Sequence, residues 1–378
     1  MSITEFVRIK MWIRKISKRA VLIAALIMAI FLLAFLLRLR AATTLPQDID
    51  EPIYLGVARD LSGFIRNFDF GNFISYDKNL EHPLFGKFLF ALALLVRNSL
   101  LSARLVSVIL GSLTVLLIAF RTPVGGFFLA TELLTIRYSS EVYLDAGAVF
   151  FALLSVVLYE RWKNADILFY MSAVAGGLAF ATKYTSFLVF QIVPIMILME
   201  SKNWRLAVKK IFIWAAIAAV AFMVVNPPFW EDARLIHSLT YHGHFAGTVG
   251  PLVGRPAGYY LSLIWNSSPA TINNGFFVIN IEKIVLVLGF LGFPLILHKK
   301  KMMESLWFAF ALIFLLVWPV KWDWYVIMFT PALAMSAGFL VEEVARTLMR
   351  SRKIYFTRIR GGFSRVLGKI RSSKFSQP

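Results

Sequence analysis

"AVLIAALIMAIFLLAFLL" at residues 20–37, followed by "DIDEPIYLGVARDL" at residues 48–61, decides how this chain is read. The first stretch is apolar throughout and long enough to cross a hydrocarbon core of roughly 30 Å. The second sets four carboxylates, Asp48, Asp50, Glu51 and Asp60, directly beyond that crossing. The remainder agrees with a membrane reading. The 378 residues are 59% hydrophobic, well above the roughly 45–50% apolar content of soluble domains, and mean hydropathy is +0.71. There is no cysteine, which excludes disulfides and thiolate chemistry. The net charge of +19 raises nucleic acid as a partner. Its distribution argues otherwise, because Lys and Arg gather at the two ends and in short loops between apolar runs, the pattern that orients membrane proteins.

Those charges predict a topology. Arg8, Lys10, Arg14, Lys15, Lys18 and Arg19 place the N-terminus in the cytoplasm and make 20–38 a retained first span. Segment 41–81 is then the first outer loop. Spans are expected at 83–96, returning to Arg97 and Arg104, and at 104–120, 142–159, 166–182, 184–200 and 209–225. "ERWK" (160–163), "SKNWRLAVKK" (201–210) and "HKKK" (298–301) lie inside, and a large outer loop occupies 226–283. Three last spans fall near 284–297, 304–320 and 324–342, so residues 1–345 form the membrane domain and 346–378 a basic cytoplasmic tail lying on lipid. "PVGGFFLATELLTI" (123–136) is too short to cross twice and is read as re-entrant, which implies a cavity around it. The fold class is an all-α polytopic bundle of about 10–11 transmembrane helices.

The first outer loop holds seven of the chain's 21 acidic residues. After Pro52, the apolar positions Ile53, Val57, Leu61 and Phe64 have helical spacing, which predicts an amphipathic helix on the membrane surface. Asp50 is placed to cap that helix; adjacent acids also suit proton removal from a hydroxyl or capture of a divalent cation. "EHPLFGK" (81–87) puts Glu81, His82 and Lys87 at a span mouth, where Lys87 either snorkels or faces a ligand. Asp145 and Lys183 sit at outer span ends, paired with each other or facing a wet cavity, since a charge at bilayer depth costs roughly 2.5–3.5 kcal/mol. His242 and His244 would face together only on a strand and make a weak metal pair. "KWDWY" (321–325) supplies interfacial aromatics, and "NSS" (266–268) is an isolated sequon.

Taken in order, these segments resemble the C-type glycosyltransferases, in particular the protein O-mannosyltransferases and the lipid A aminoarabinose transferases. "DEPIYLGVARDL" (50–61) is similar to the start of that family's first outer loop, and "EHPLFGK" to its "HPPLGK" box with Leu84 for the second proline. "SARLVSVILGSLTVLL" (102–117), "YLDAGAVFF" (143–151), "GGLAFATKYTS" (176–186) and "WYVIMFTPALAMSAG" (324–338) resemble later motifs, the last with Phe329 where a proline is common. Two departures stand out. "SSE" (139–141) replaces an "SR", which removes a basic contact, and no large soluble insert separates the later spans.

The resemblance implies inverting transfer of a sugar, a mannose-like hexose by preference. The donor would be a polyprenyl phosphate and the acceptor a hydroxyl on protein or lipid at the outer face of the plasma membrane. It makes Asp50 the catalytic base, with Glu51 supporting it. Tyr54 and Arg59 would line the site, Glu81 and His82 would face the donor head group, and Asp145 and Lys183 would lie at its phosphate. Asp50, Glu81 and His82 are the residues for a possible divalent metal ion. The competing expectation is a flippase or transporter of the lipid-linked sugar, without chemistry.

Overall fold

The computed structural model describes residues 18–248, 254–268 and 280–351, all helix, turn or loop with no strand among them. Of the expected tail 346–378, residues 346–351 continue the last helix, while 352–378 and the basic residues before Lys18 lie outside the described residues. α1 (Lys18–Thr44) rises to the acidic loop, which holds α2 (Glu51–Arg66) and the short α3 (Phe70–Ile74). Then come α4 (Phe85–Val96), α5 (Leu100–Ala119), α6 (Pro123–Thr131), α7 (Leu133–Tyr138), α8 (Leu144–Arg161) and α9 (Ile167–Thr182). α10 (Tyr184–Glu200) and α11 (Trp204–Val224) precede α12 (Asp232–Thr248) and α13 (Tyr259–Asn266), which are parts of the large outer loop. α14 (Glu282–His298), α15 (Met302–Val317) and α16 (Asp323–Ser351) close the bundle.

Ion pairs fix which ends meet. At one end Arg121 bonds Glu160 at 2.9 Å and Glu304 at 2.5 Å, while Thr122 bonds Glu342 at 2.7 Å. At the other, here called the site end, Arg104 bonds Glu51, Val142 donates to Glu51, and Lys183 meets Asp145. α5 therefore runs from the site end to the opposite end, and α6 with α7 returns. The expected topology is corrected on both counts. α4, with 12 residues, is about 18 Å long, too short for a crossing, and it stays at the site end. Segment 123–136 is not re-entrant: extended to Val142, it is one full pass made of two short helices. The two corrections offset each other: among the described residues, the elements that run between the two ends are α1, α5, α6–α7, α8, α9, α10, α11, α14, α15 and α16, ten against an expectation of about 10–11. Four of the helices are long and apolar enough to cross a membrane by themselves.

The broken pass shows why backbone inside a bilayer needs internal partners. Glu132 adopts an extended conformation between α6 and α7, and its carboxylate accepts from Leu134 N (3.1 Å) and Thr135 N (2.6 Å). Glu282 from α14 accepts from Leu133 N at 2.7 Å, so the orphan donors at the break are satisfied. Arg38 of α1 closes the other side by donating to the carbonyls of Leu129 and Ala130 and to Ser139 Oγ. Packing places α16 at the centre, with 83% of its apolar window buried, against 22% for α1 and α11, which face lipid. At the crossing of α6 and α16, a Cβ on Gly338 would come within 2.4 Å of Gly125 N, so only glycine permits that approach.

Candidate active site

The N-terminus of α2 presents Asp50 and Glu51 on different sides, as a helical turn of about 100° per residue separates neighbours. Asp50 occupies the N-cap position, and its main-chain carbonyl accepts from Ile53 and Tyr54, but its side chain makes no capping bond. The carboxylate instead lines a cavity of about 260 Å³ at the site end. Burial pushes the Asp50 carboxyl above the usual carboxylate range; Lys183 opposes that rise, and Asp145 and Asp48 add to it.

Glu51 departs from its expected role as a second catalytic acid. Its carboxylate is completely buried and accepts from Arg104 Nε (2.9 Å), Arg104 Nη2 (2.5 Å), Val142 N (2.6 Å) and Asp48 N (3.0 Å). Arg104 also donates to the carbonyls of Ala42, Leu45 and Pro46. These residues clamp the segment leading into α2 and leave Glu51 no lone pair directed at a substrate. Arg104, read from sequence as an inner topological charge, is a buried clamp at the site end.

A turn at 79–84 brings Glu81 and His82 into the same cavity. Asn79 takes a left-handed conformation (φ 52°) and donates to Glu81. Lys87 neither snorkels nor lines the cavity. It is fully buried, and its ammonium donates to Asn79 O (2.5 Å) and His82 O (2.8 Å), which pins the turn from beneath. Asn226, at the end of α11, accepts from Leu84 N at 2.7 Å and donates to Phe222 O, which pins it from the side. The His82 ring lies 5.9 Å from that of Tyr54, which also lines the cavity.

Lys183 ends α9 in an extended conformation (φ −160°), which turns its side chain towards the cavity. Its ammonium meets Asp145 Oδ2 at 2.6 Å and lies 5.7 Å and 5.2 Å from the ring centres of Trp324 and Tyr325. Asp145 stands in the first turn of α8, where the helix dipole favours a carboxylate. Trp318, Trp322 and Trp324 form an aromatic wall, with Trp322 stacked on Trp324 at 5.3 Å, and Tyr241 and Phe245 of α12 cover it. In the sequence these aromatics carried only the signal of an interfacial belt. A side cleft of about 70 Å³ leaves the cavity at His82 and Lys183 and continues past Thr185, Phe187 and Phe314.

Several expectations fail here. Arg59 is exposed on α2 and does not line the cavity, because positions 54 and 59 fall on different faces of the helix. The segment with His242 and His244 is helical, so residues two apart do not share a face and the metal pair lapses. Asp50, Glu81 and His82 share the cavity, yet no group of three or more His, Asp or Glu among the described residues is arranged to hold a metal ion. In the turn before "SSE", Arg137 meets Asp48 at 3.0 Å and Glu141 at 3.7 Å.

No protein-family model matches this sequence, and no curated protein does. The fold does have solved counterparts. ArnT from Cupriavidus metallidurans bound to undecaprenyl phosphate superposes with a TM-score of 0.53 at 16% identity, over 85% of this chain and 60% of that one. Its apo state gives 0.58 at 14% identity, over 85% and 59%. The Archaeoglobus fulgidus oligosaccharyltransferase tethered with an acceptor peptide gives 0.50 at 13% identity, over 87% and 50%. The chain thus spans about 60% of the length of ArnT. Its apolar helices, its helix-bearing acidic loop and these superpositions together make it a multi-pass membrane protein whose all-helical fold is like that of ArnT.

Proposed function

We propose that this chain is an integral membrane glycosyltransferase that moves a sugar from a polyprenyl phosphate to an acceptor hydroxyl on protein or lipid. The observation that carries the reading is the meeting of two groups in one cavity: the Asp50 carboxylate, free of helix capping, and the Lys183 ammonium, oriented by Asp145. Lys and Arg concentrated in the loops of the opposite end support a cytoplasmic side there and a site at the outer face of the plasma membrane.

In this mechanism the acceptor oxygen attacks the anomeric carbon from the face opposite the phosphate, and its proton passes to Asp50. The bond between that carbon and the phosphate oxygen breaks, the electron pair leaves with the polyprenyl phosphate, and the configuration inverts. A phosphate leaves without protonation, so a single base and a cation suffice. Lys183 stabilises the charge that grows on the departing phosphate. Glu81, His82 and Tyr54 face the sugar and its phosphate, and the tryptophan wall offers flat apolar surface to a pyranose, with a mannose-like hexose favoured. Glu51, Arg104 and Lys87 act as positioning residues.

The test is transfer from a polyprenyl-phosphate hexose by purified protein. Asp50→Asn should abolish transfer and leave the thermal transition in place. Full activity in that variant removes the base assignment, and lipid translocation without any change in the sugar-lipid pool would favour a transporter.

A further inference from the structure

A second cavity, at about 350 Å³ larger than the one holding Asp50, opens on the flank of the bundle. Five phenylalanines from α2, α3 and α4 form most of its wall, Val224 and Val225 at the end of α11 complete it, and Asp69 is its acidic residue. Its depth follows from α11, whose 21 residues span about 31 Å and so match a hydrocarbon core. Val224, the last of them, therefore lies at the site-end terminus of a membrane-length helix. Val220 and Val224 are 62% and 64% exposed, so the lipid-facing side of α11 runs directly into the groove.

The lip has the same character. Phe68, at positive φ, turns the chain between α2 and α3 and is 78% exposed, and Phe70 beside it is 62% exposed. Large apolar side chains gathered this way need a covering surface, and at this depth that surface is the bilayer. Arg66, exposed and next to the groove-lining Ile65, adds a cation at head-group level.

We propose that this groove seats one acyl chain of a bilayer phospholipid, with Arg66 beside the phosphate. The lipid ties the far end of α2 to the membrane, while the Glu51–Arg104 clamp holds its near end. A polyprenyl donor chain is the poorer occupant. Groove and cavity share no lining residue, Leu80, Phe222, Phe229 and Tyr184 pack in one apolar cluster with the groove-lining Phe85 and Val225, and His82 and Lys183 line instead the cleft towards Phe187 and Phe314.

The test uses the full chain in nanodiscs of phosphatidylglycerol carrying a diazirine on one acyl chain, with label mapped by mass spectrometry after photolysis. Label should concentrate in segments 64–73 and 224–227, and native mass spectrometry should retain one phospholipid per chain. Val224→Trp, which fills the groove from an exposed position, should lower groove labelling roughly ten-fold, the effect of about 1.4 kcal/mol, and leave labelling of α1 unchanged. Phe70→Asp should act in the same direction. Groove labelling no stronger than that of α1, or unchanged in both variants, overturns the proposal. So does displacement of the label by undecaprenyl phosphate, or crosslinking of the groove to a second copy. None of these readouts depends on sugar transfer, so the proposal stands or falls apart from the transferase reading.

Discussion

Asp50 and Glu51 are adjacent in the chain, and the structure gives them opposite environments. Asp50 is half-buried, has no capping bond and faces a cavity shared with Lys183. Glu51 is fully buried, holds four hydrogen bonds and faces Arg104. The contrast separates two uses of a carboxylate near a membrane. A satisfied buried acid fixes structure, whereas a desolvated acid without fixed donors can accept a proton.

Variants can break this comparison, and the largest effect should come from Asp50→Asn. Loss of a general base should cost roughly 10²–10⁴-fold in transfer rate, read as turnover of a polyprenyl-phosphate hexose. Because burial raises the Asp50 pKa, its contribution to stability is present below the ordinary carboxylate value and lost as pH rises through the folded value. At neutral pH the Asn variant should therefore melt no lower than the parent. Glu51→Ala should do the reverse and cost about 3–5 kcal/mol of stability, since Arg104 is left buried without its partner. Thermal unfolding in detergent measures it, and an unchanged melting temperature would show that the clamp is dispensable.

Two smaller effects sharpen the picture. Lys87→Met should remove the ammonium donor from the Asn79 and His82 carbonyls, leaving Asn79 O only the 3.5 Å bond from His82 N, and loosen the turn that carries Glu81 and His82. Undecaprenyl phosphate binding, followed through the fluorescence of Trp318, Trp322 and Trp324, should weaken roughly ten-fold, with Lys87→Arg recovering part of it. The smallest is a pH shift. Transfer needs ionised Asp50, so its acid limb should lie above 3.8, the ordinary value. In Lys183→Met, where the attraction that lowers the Asp50 pKa is gone, the residual acid limb should move further up.

Much of this site was legible in the sequence. The helix after Pro52 follows from spacing, and the pairing of Asp145 with Lys183 from the cost of charge at bilayer depth; Asp50, Tyr54, Glu81 and His82 as site residues came from the family resemblance. Glu51 was misread because its partner, Arg104, is 53 residues away, and an arginine between apolar runs looks like a topological signal. The same misreading made α4 a crossing. Arg59 failed for a simpler reason: an arginine in a family motif says nothing about which helix face it occupies. The Glu132 break was hidden because its compensation comes from Glu282 and Arg38, residues on other passes.

The central claim is that one carboxylate beside a phosphate-facing ammonium performs the transfer. Mass spectrometry of polyprenyl-phosphate sugars and their glycosylated products, in cells producing the parent chain or Asp50→Asn at equal level, tests it most directly. The account predicts that the parent consumes the sugar-lipid and yields a glycosylated product, while the variant leaves the sugar-lipid intact. Equal consumption by both, or an untouched pool with the parent chain present and folded, would contradict it.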